Sequence, residues 1–228
     1  MTKIEELKKA AGVRAANEIE SGMLVGLGTG STAAFMLERL AERIRDEGLK
    51  VTGVSTSWST TLYCRSAGIP LLEMGAASHL DLAIDGADEI DPARNLIKGR
   101  GAAHLLEKIV ASMADRYLIV ADSGKRVQKL GEKFPVPLEV IPGAVGIVSA
   151  KIAQLGGAAK VRMGAPGKDG PVISDSGNLI VDAKFPPLEN PGELAAELDS
   201  IAGLVGHGLF IGMASKVILA TESGLSEF

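Results

Sequence analysis

The chain has 228 residues, 46% hydrophobic and 23% charged, a balance that fits a globular protein with one large core and room for a smaller appendage. Its formal net charge of -4 argues against a protein that grips nucleic acid or a membrane surface through broad basic patches, so any anionic ligand must be met by local donors. Cys64 is the single cysteine, which excludes an intramolecular disulfide, favours a reducing compartment and reads as a small buried hydrophobe.

The opening "MTKIEELKKAAGVRAANEI" is charged and amphipathic without an apolar signal core. No window approaches the roughly 18 apolar residues of a membrane span, so a cytoplasmic protein without a membrane partner is expected. Ile4, Leu7, Ala11, Ala15 and Ile19 predict a helix over 4–20 that stops at "ESG". "MLVGLG" reads as a short strand, and "TGSTAAFMLERLAERIRDEG" as a glycine-rich turn, a Ser/Thr entry and an amphipathic helix closed by Gly48. The alternation continues through "KVTGVST" (strand), "SWSTTLYCRSAG" (helix), "IPLLEM" (short strand), "LDLAIDGADEI" (strand and loop), "GAAHLLEKIVASMA" (helix) and "RYLIVADSG" (strand and loop). Such an order, with near-continuous apolar strands, predicts an α/β fold: a Rossmann-like, mostly parallel sheet with helices on both faces. Sheets of this kind bind ligands outside the carboxyl ends of their strands.

After the proline-rich "GEKFPVPLEVIP" the composition shifts. A helix over 144–155, a strand over 158–163, the turn-rich "GAPGKDGP", a strand at "GNLIVDAKF", a helix over 191–201 and a final strand "GLFIGMA" are expected. The order predicts a small α+β domain over 132–205, set into an α/β catalytic domain formed by 1–131 with 206–228.

Two motifs carry chemistry. In "VGLGTGST" a glycine-rich turn between a strand and a helix N-terminus presents backbone N–H groups and a positive dipole end, which suits a phosphate; Ser31 and Thr32 add hydroxyls. A dinucleotide fingerprint would need glycine at position 31 and an acidic residue after the second strand, and "KVTGVSTS" supplies none. The Gly-Lys-Ser/Thr ending of a nucleotide P-loop is also missing, and a purely structural turn is the plainer alternative. The second motif is "IDGADEI" with "NLIKGRGAAHLLEK". Asp85 and Asp88 flank Gly86 and Ala87 at a strand-to-loop exit, Lys98 follows, and Gly99 and Gly101 precede a helix that carries Glu107 among Leu105, Leu106, Ile109 and Val110. A glutamate among apolar neighbours has its proton affinity raised, which suits a base working near neutral pH. A divalent-metal site fits poorly, because Lys98 competes for the same charge and His79, His104 and His207 are scattered. The plain alternative is a solvated loop in which Asp85, Asp88, Glu89 and Asp91 serve turns.

These stretches, with "ELKKAAG", "VADSGK", "FPVPLEVIP" and "SGNLIVD", span most of the chain and together resemble ribose-5-phosphate isomerase of the A type. The resemblance implies an α/β domain with a smaller ferredoxin-like module. It implies cofactor-free interconversion of D-ribose 5-phosphate and D-ribulose 5-phosphate by a cytoplasmic homodimer. Glu107 would then shuttle a proton between C1 and C2 through an enediolate. Asp85 and Lys98 would assist ring opening and proton transfer at the sugar oxygens, and Asp88 would hold hydroxyls. Thr29, Gly30, Ser31 and Thr32, with Lys8 and Lys125, would meet anionic and hydroxyl groups, and Gly86, Ala87, Gly99, Arg100 and Gly101 would line the substrate. Arg100 stands where the family usually has the middle glycine of three; if that position needs φ > 0, a side chain there is costly. Trp58 either caps the pocket or packs on its helix. Two rivals use similar loops. A sugar-phosphate sensor would normally carry a DNA-binding helix-turn-helix, and a CoA transferase would need an adenine site; the sequence offers neither.

Overall fold

A computed structural model describes residues 2–164 and 166–228; Met1, and Ala165 within the expected turn-rich stretch, lie outside the described residues. In chain order the elements are α1 Lys3–Ala16, β1 Leu24–Leu27, α2 Ser31–Asp46, β2 Thr52–Ser55, α3 Trp58–Ala67, β3 Leu82–Asp85, β4 Glu89–Ile90, β5 Leu96–Ile97 and α4 His104–Met113. They continue with β6 Tyr117–Asp122, β7 Val136–Val140, α5 Val145–Gln154, β8 Ala158–Val161, β9 Leu179–Lys184, α6 Pro191–Asp199, β10 Leu204–His207, β11 Leu209–Phe210, β12 Lys216–Thr221 and β13 Gly224–Glu227. The chain divides into two compact units, one of 1–87, 106–125 and 213–228, the other of 88–105 and 126–212.

The first unit is built on a six-stranded sheet of order β13-β12-β6-β3-β1-β2. Every pair is parallel except β12 with β13. Side chains alternate across a strand, so each face has its own set. Val25, Leu27, Leu82, Ile84, Leu118, Val120 and Ile218 pack with Ala11 and Ala15 of α1 and Met36, Leu37 and Leu40 of α2 on one face. Gly26 lies on the other face, where a side chain would collide with Val110 of α4 and come within 2.7 Å of Ala83 Cβ; the missing Cβ lets α4 lie close. Helices therefore cover both faces, as the alternating pattern predicts. Cys64 is fully buried in this core, and burial pushes its thiol up to about 11, leaving an unreactive apolar filler.

The second unit holds the β7-α5-β8-β9-α6-β10 run, whose strands form an antiparallel sheet of order β10-β7-β9-β8. This is the ferredoxin-like βαββαβ arrangement. Its core is Val136, Leu138, Val140, Val148, Ile152, Val181, Ala183 and Leu198. A small sheet of order β11-β5-β4 belongs to the same unit.

Two local expectations differ from the structure, and one strand was not expected. "IPLLEM" forms only a bridge at Leu71 and a 3-10 turn over Met74–Ala76, because its two apolar leucines are followed at once by "EMGAA". "FPVPLEVIP" contains β7, an inner strand despite Pro137; the proline ring faces Gly208, where the neighbouring strand has already ended, so no ladder bond is lost. "GLFIGMA" yields only the two-residue β11, bounded by Gly208 and Gly212, while β12 and β13 complete the main sheet. No described helix is long and apolar enough to cross a membrane.

Candidate active site

In the first unit Asp85 is the last residue of β3 and 2% exposed. Alternation puts its side chain on the sheet face that α4 covers, two residues beyond Ala83. Its Oδ1 accepts the Gly86 N–H at 2.7 Å and the Thr29 N–H at 3.1 Å. The strand-end carboxylate thus holds the start of the glycine-rich loop. Gly28 makes the approach possible: a Cβ there would lie 2.6 Å from Asp85 Cα and collide with the carboxylate.

The far side of that loop is fixed by hydroxyls. Thr29 Oγ1 lies 2.8 Å from Thr56 Oγ1, 2.7 Å from Ser57 Oγ and 3.1 Å from Thr60 Oγ1. Thr60 Oγ1 in turn donates to the Gly28 carbonyl at 2.9 Å. These partners sit at the end of β2 and the start of α3, and Thr56, Ser57 and Thr60 are buried. The cluster was not foreseen, although "STSWST" beside a glycine-rich loop was the available signal. Gly30, at φ 114°, is the N-cap of α2, so Ser31 and Thr32 open the helix. Lys8 of α1 donates from Nζ to Ser31 Oγ at 2.9 Å, bringing a cation to that helix N-terminus. The arrangement offers amides, a helix dipole and a lysine to an anion. Lys125 lies in the short turn after β6, which is the strand beside β3.

Glu107 lies on the first turn of α4 and is 6% exposed. It shares a helix face with Val110, which meets the sheet at Gly26, whereas Ile109 is 39% exposed and so leaves the expected apolar stripe. A crossover helix that returns the chain to a parallel strand runs against the strands, so its N-terminal turn sits at their carboxyl edge. Asp85 and Glu107 therefore occupy the same sheet face at the same edge. Trp58 is 58% exposed at the first position of α3.

The second unit carries Asp88, Lys98, Gly99, Arg100 and Gly101. Lys98 follows β5, is 3% exposed, and places Nζ 5.6 Å from the centroid of the Phe210 ring, a cation–π contact. Gly99 has φ 109° and packs on His104, with no room for a Cβ. Arg100 stands outside the left-handed region, so the glycine usual there is not required by backbone strain. The Arg100 N–H donates to Asp88 Oδ2 at 2.9 Å, and its side chain, 68% exposed, brings Nε to 3.7 Å from Asp88 Oδ1.

The neighbouring acids do other work. Glu89 is fully buried and accepts the amides of Gly131, Lys133 and Phe134 at 2.6, 2.5 and 2.6 Å. Asp91 accepts the backbone and side-chain N–H groups of Asn95. These acids are internal staples, which overturns the solvated-loop alternative for this stretch. His207 is buried, with Nε2 3.1 Å from Asp199 Oδ1 and Nδ1 accepting the Leu209 N–H. Among the described residues no group of His, Cys, Asp and Glu could hold a metal ion.

An α/β sheet with amides and a lysine at a helix N-terminus, one carboxylate at a strand exit and another on the first turn of α4 fits an enzyme that works on small phosphorylated molecules. Comparison with known proteins narrows the class. The family model for ribose 5-phosphate isomerase A (phosphoriboisomerase A) matches residues 52–224. The chain is 46% identical over 217 residues to ribose-5-phosphate isomerase A of Thermosynechococcus vestitus, covering 95% of this chain and 92% of that one. Among solved structures it is similar to ribose 5-phosphate isomerase A from Methanocaldococcus jannaschii, with a TM-score of 0.94, 40% identity and 98% of each chain covered. It is also similar to a D-ribose-5-phosphate isomerase in complex with phospho-erythronic acid, with a TM-score of 0.96, 40% identity, and 100% and 99% of the two chains covered. The chain belongs to the ribose 5-phosphate isomerase A family.

Proposed function

We propose that this isomerase interconverts D-ribose 5-phosphate and D-ribulose 5-phosphate with Glu107 as the base. The carboxylate takes the C2 proton of the open-chain aldose. The electron pair forms the C1–C2 double bond of an enediolate, O1 takes up a proton, and O2 gives one up as it becomes the ketone. Glu107 then returns its proton to C1. A carbon acid of this kind needs a positioned carboxylate and donors for the oxyanion that forms beside it. Lys98 and the amides of Gly99, Arg100 and Gly101 are donors of the right type. Asp85 and Lys98 serve ring opening and proton movement at the sugar oxygens, and Asp88 holds hydroxyls. Thr29, Gly30, Ser31, Thr32, Lys8 and Lys125 meet the anionic and hydroxyl groups, and Gly86 and Ala87 line the substrate beside Asp85.

The observation that carries the reading is the placement of Asp85 and Glu107 at one edge of one sheet face, next to the glycine-rich loop. The domain division we propose is a catalytic domain of 1–131 with 206–228 and a small domain of 132–205; the residues named here fall within 1–131, Asp88 and 98–101 in the second compact unit and the others in the first. The chemistry calls for no cofactor, and a cytoplasmic homodimer without a nucleic-acid or membrane partner is the setting we propose. Incubation of the purified protein with D-ribose 5-phosphate in EDTA tests the reading. Steady formation of ketopentose phosphate supports it, and a folded protein that binds the sugar phosphate without turnover overturns it.

A further inference from the structure

We infer that Arg162, backed by Asp182, is a positioning residue that sets the orientation of the donor loop at 99–101; the inference rests on the isomerase reading above. Arg162 follows β8, and its side chain is 18% exposed. Its own N–H donates to the Ile180 carbonyl at 2.8 Å and its carbonyl accepts the Val172 N–H at 2.8 Å, so the residue is bonded on both sides of its backbone. Asp182 lies on β9, between β7 and β8. The two side chains meet fork to fork, Nε to Oδ2 at 2.9 Å and Nη2 to Oδ1 at 2.5 Å. That pairing fixes the plane of the guanidinium and turns Nη1 outward.

Nη1 donates at 2.9 Å to the carbonyl of Gly99 and at 2.9 Å to the carbonyl of Arg100. In a trans peptide the C=O and N–H point in opposite directions. The peptide from Gly99 to Arg100 is therefore held at both ends, its carbonyl by Arg162 and its N–H by Asp88 Oδ2. The next peptide has its carbonyl on the same guanidinium, so the Gly101 N–H points away from Arg162, toward the side on which Asp88 lies. One cation thus gathers two carbonyl oxygens to one side and leaves the amides and the Asp88 carboxylate on the other. A positive charge on the carbonyls also polarises these amides as donors. A lysine could supply the charge but not the planar fork to Asp182 together with two carbonyl contacts. The substrate need not touch Arg162 for any of this.

The test compares wild type with Arg162→Ala, Arg162→Lys and Asp182→Asn. Competent sites are counted by calorimetric titration with phospho-erythronic acid, and kcat is expressed per competent site. In Arg162→Ala we expect kcat to fall about 10²-fold, the scale of a misplaced catalytic group, with a smaller rise in KM. Arg162→Lys should not recover it, whereas millimolar guanidinium should partly restore Arg162→Ala and leave Arg162→Lys unchanged. A folded Arg162→Ala with wild-type kcat, or one whose loss tracks the number of competent sites and ignores guanidinium, would overturn the inference. If Arg162→Ala does not fold, Asp182→Asn decides by the same split, with a smaller loss expected and an unchanged kcat contradicting it. A wild type without turnover strikes the isomerase reading alone. Hydrogen exchange at the Arg100 and Gly101 amides then decides for the loop: faster exchange in the variants supports the positioning role, and unchanged exchange refutes it.

Discussion

Asp85 and Gly28 stand so close that no side chain fits between them: a Cβ at position 28 would lie 2.6 Å from Asp85 Cα and collide with the carboxylate that holds the Thr29 amide. Gly28→Ala must therefore push the loop off the strand-end acid. We expect the variant to fold with a loss of about 1–3 kcal/mol and to lose kcat/KM by about 10²-fold. Urea unfolding and initial rates on D-ribose 5-phosphate check the two parts; activity within threefold of wild type would count against the loop's dependence on Asp85.

Lys8 reaches Ser31 from a different helix and adds charge at the N-terminus of α2. In the proposed role its charge meets the substrate phosphate in ground and transition state alike, so Lys8→Ala should raise KM about tenfold with kcat nearly unchanged. A fall in kcat without a change in KM would place Lys8 in another role.

Glu89 is a buried carboxyl whose oxygens accept three amides. Glu89→Gln turns one acceptor oxygen into a donor facing other donors, and should cost about 3 kcal/mol of unfolding free energy. Among the acids of "IDGADEI", this one should affect stability more than chemistry, so kcat of the folded fraction should stay close to wild type.

Glu18 joins the end of α1 to β12 through Arg14, at 2.6 Å, and Lys216, at 3.3 Å. Burial pushes its carboxyl up, but the hydrogen bonds and charges of Arg14 and Lys216 outweigh that and hold it below its ordinary 4.5. A carboxyl lowered on folding stabilises above its unfolded value and loses that contribution as pH falls through the folded value. The stability gap between wild type and Glu18→Gln should be full above pH 4.5 and close below it. A gap that widens toward acid would contradict the assignment.

The parallel sheet was legible because near-continuous apolar strands and amphipathic helices alternate from 24 to 122, and both chemical motifs lie at strand exits where such sheets bind ligands. What escaped reading has physical causes. β7 hid behind Pro137, whose missing donor is harmless only because the adjacent strand ends at Gly208, a fact of tertiary register. Glu89 and Asp88 adjoin in sequence, yet Glu89, the first residue of β4, turns to backbone amides while Asp88, just before the strand, meets the 99–101 loop. Arg162 gave no local signal, since its partners Asp182 and Gly99 are distant in the chain.

In the proposed reaction Glu107 moves the proton. Replacing it by glutamine keeps size and polarity while removing the base. With unchanged thermal unfolding and unchanged binding of phospho-erythronic acid, Glu107→Gln should lose kcat by about 10⁴-fold, the upper range for a general base, and should stop exchanging the C2 hydrogen of ribose 5-phosphate with solvent deuterium. Turnover within tenfold of wild type, or continued exchange at C2, would contradict the account and assign the proton to another group.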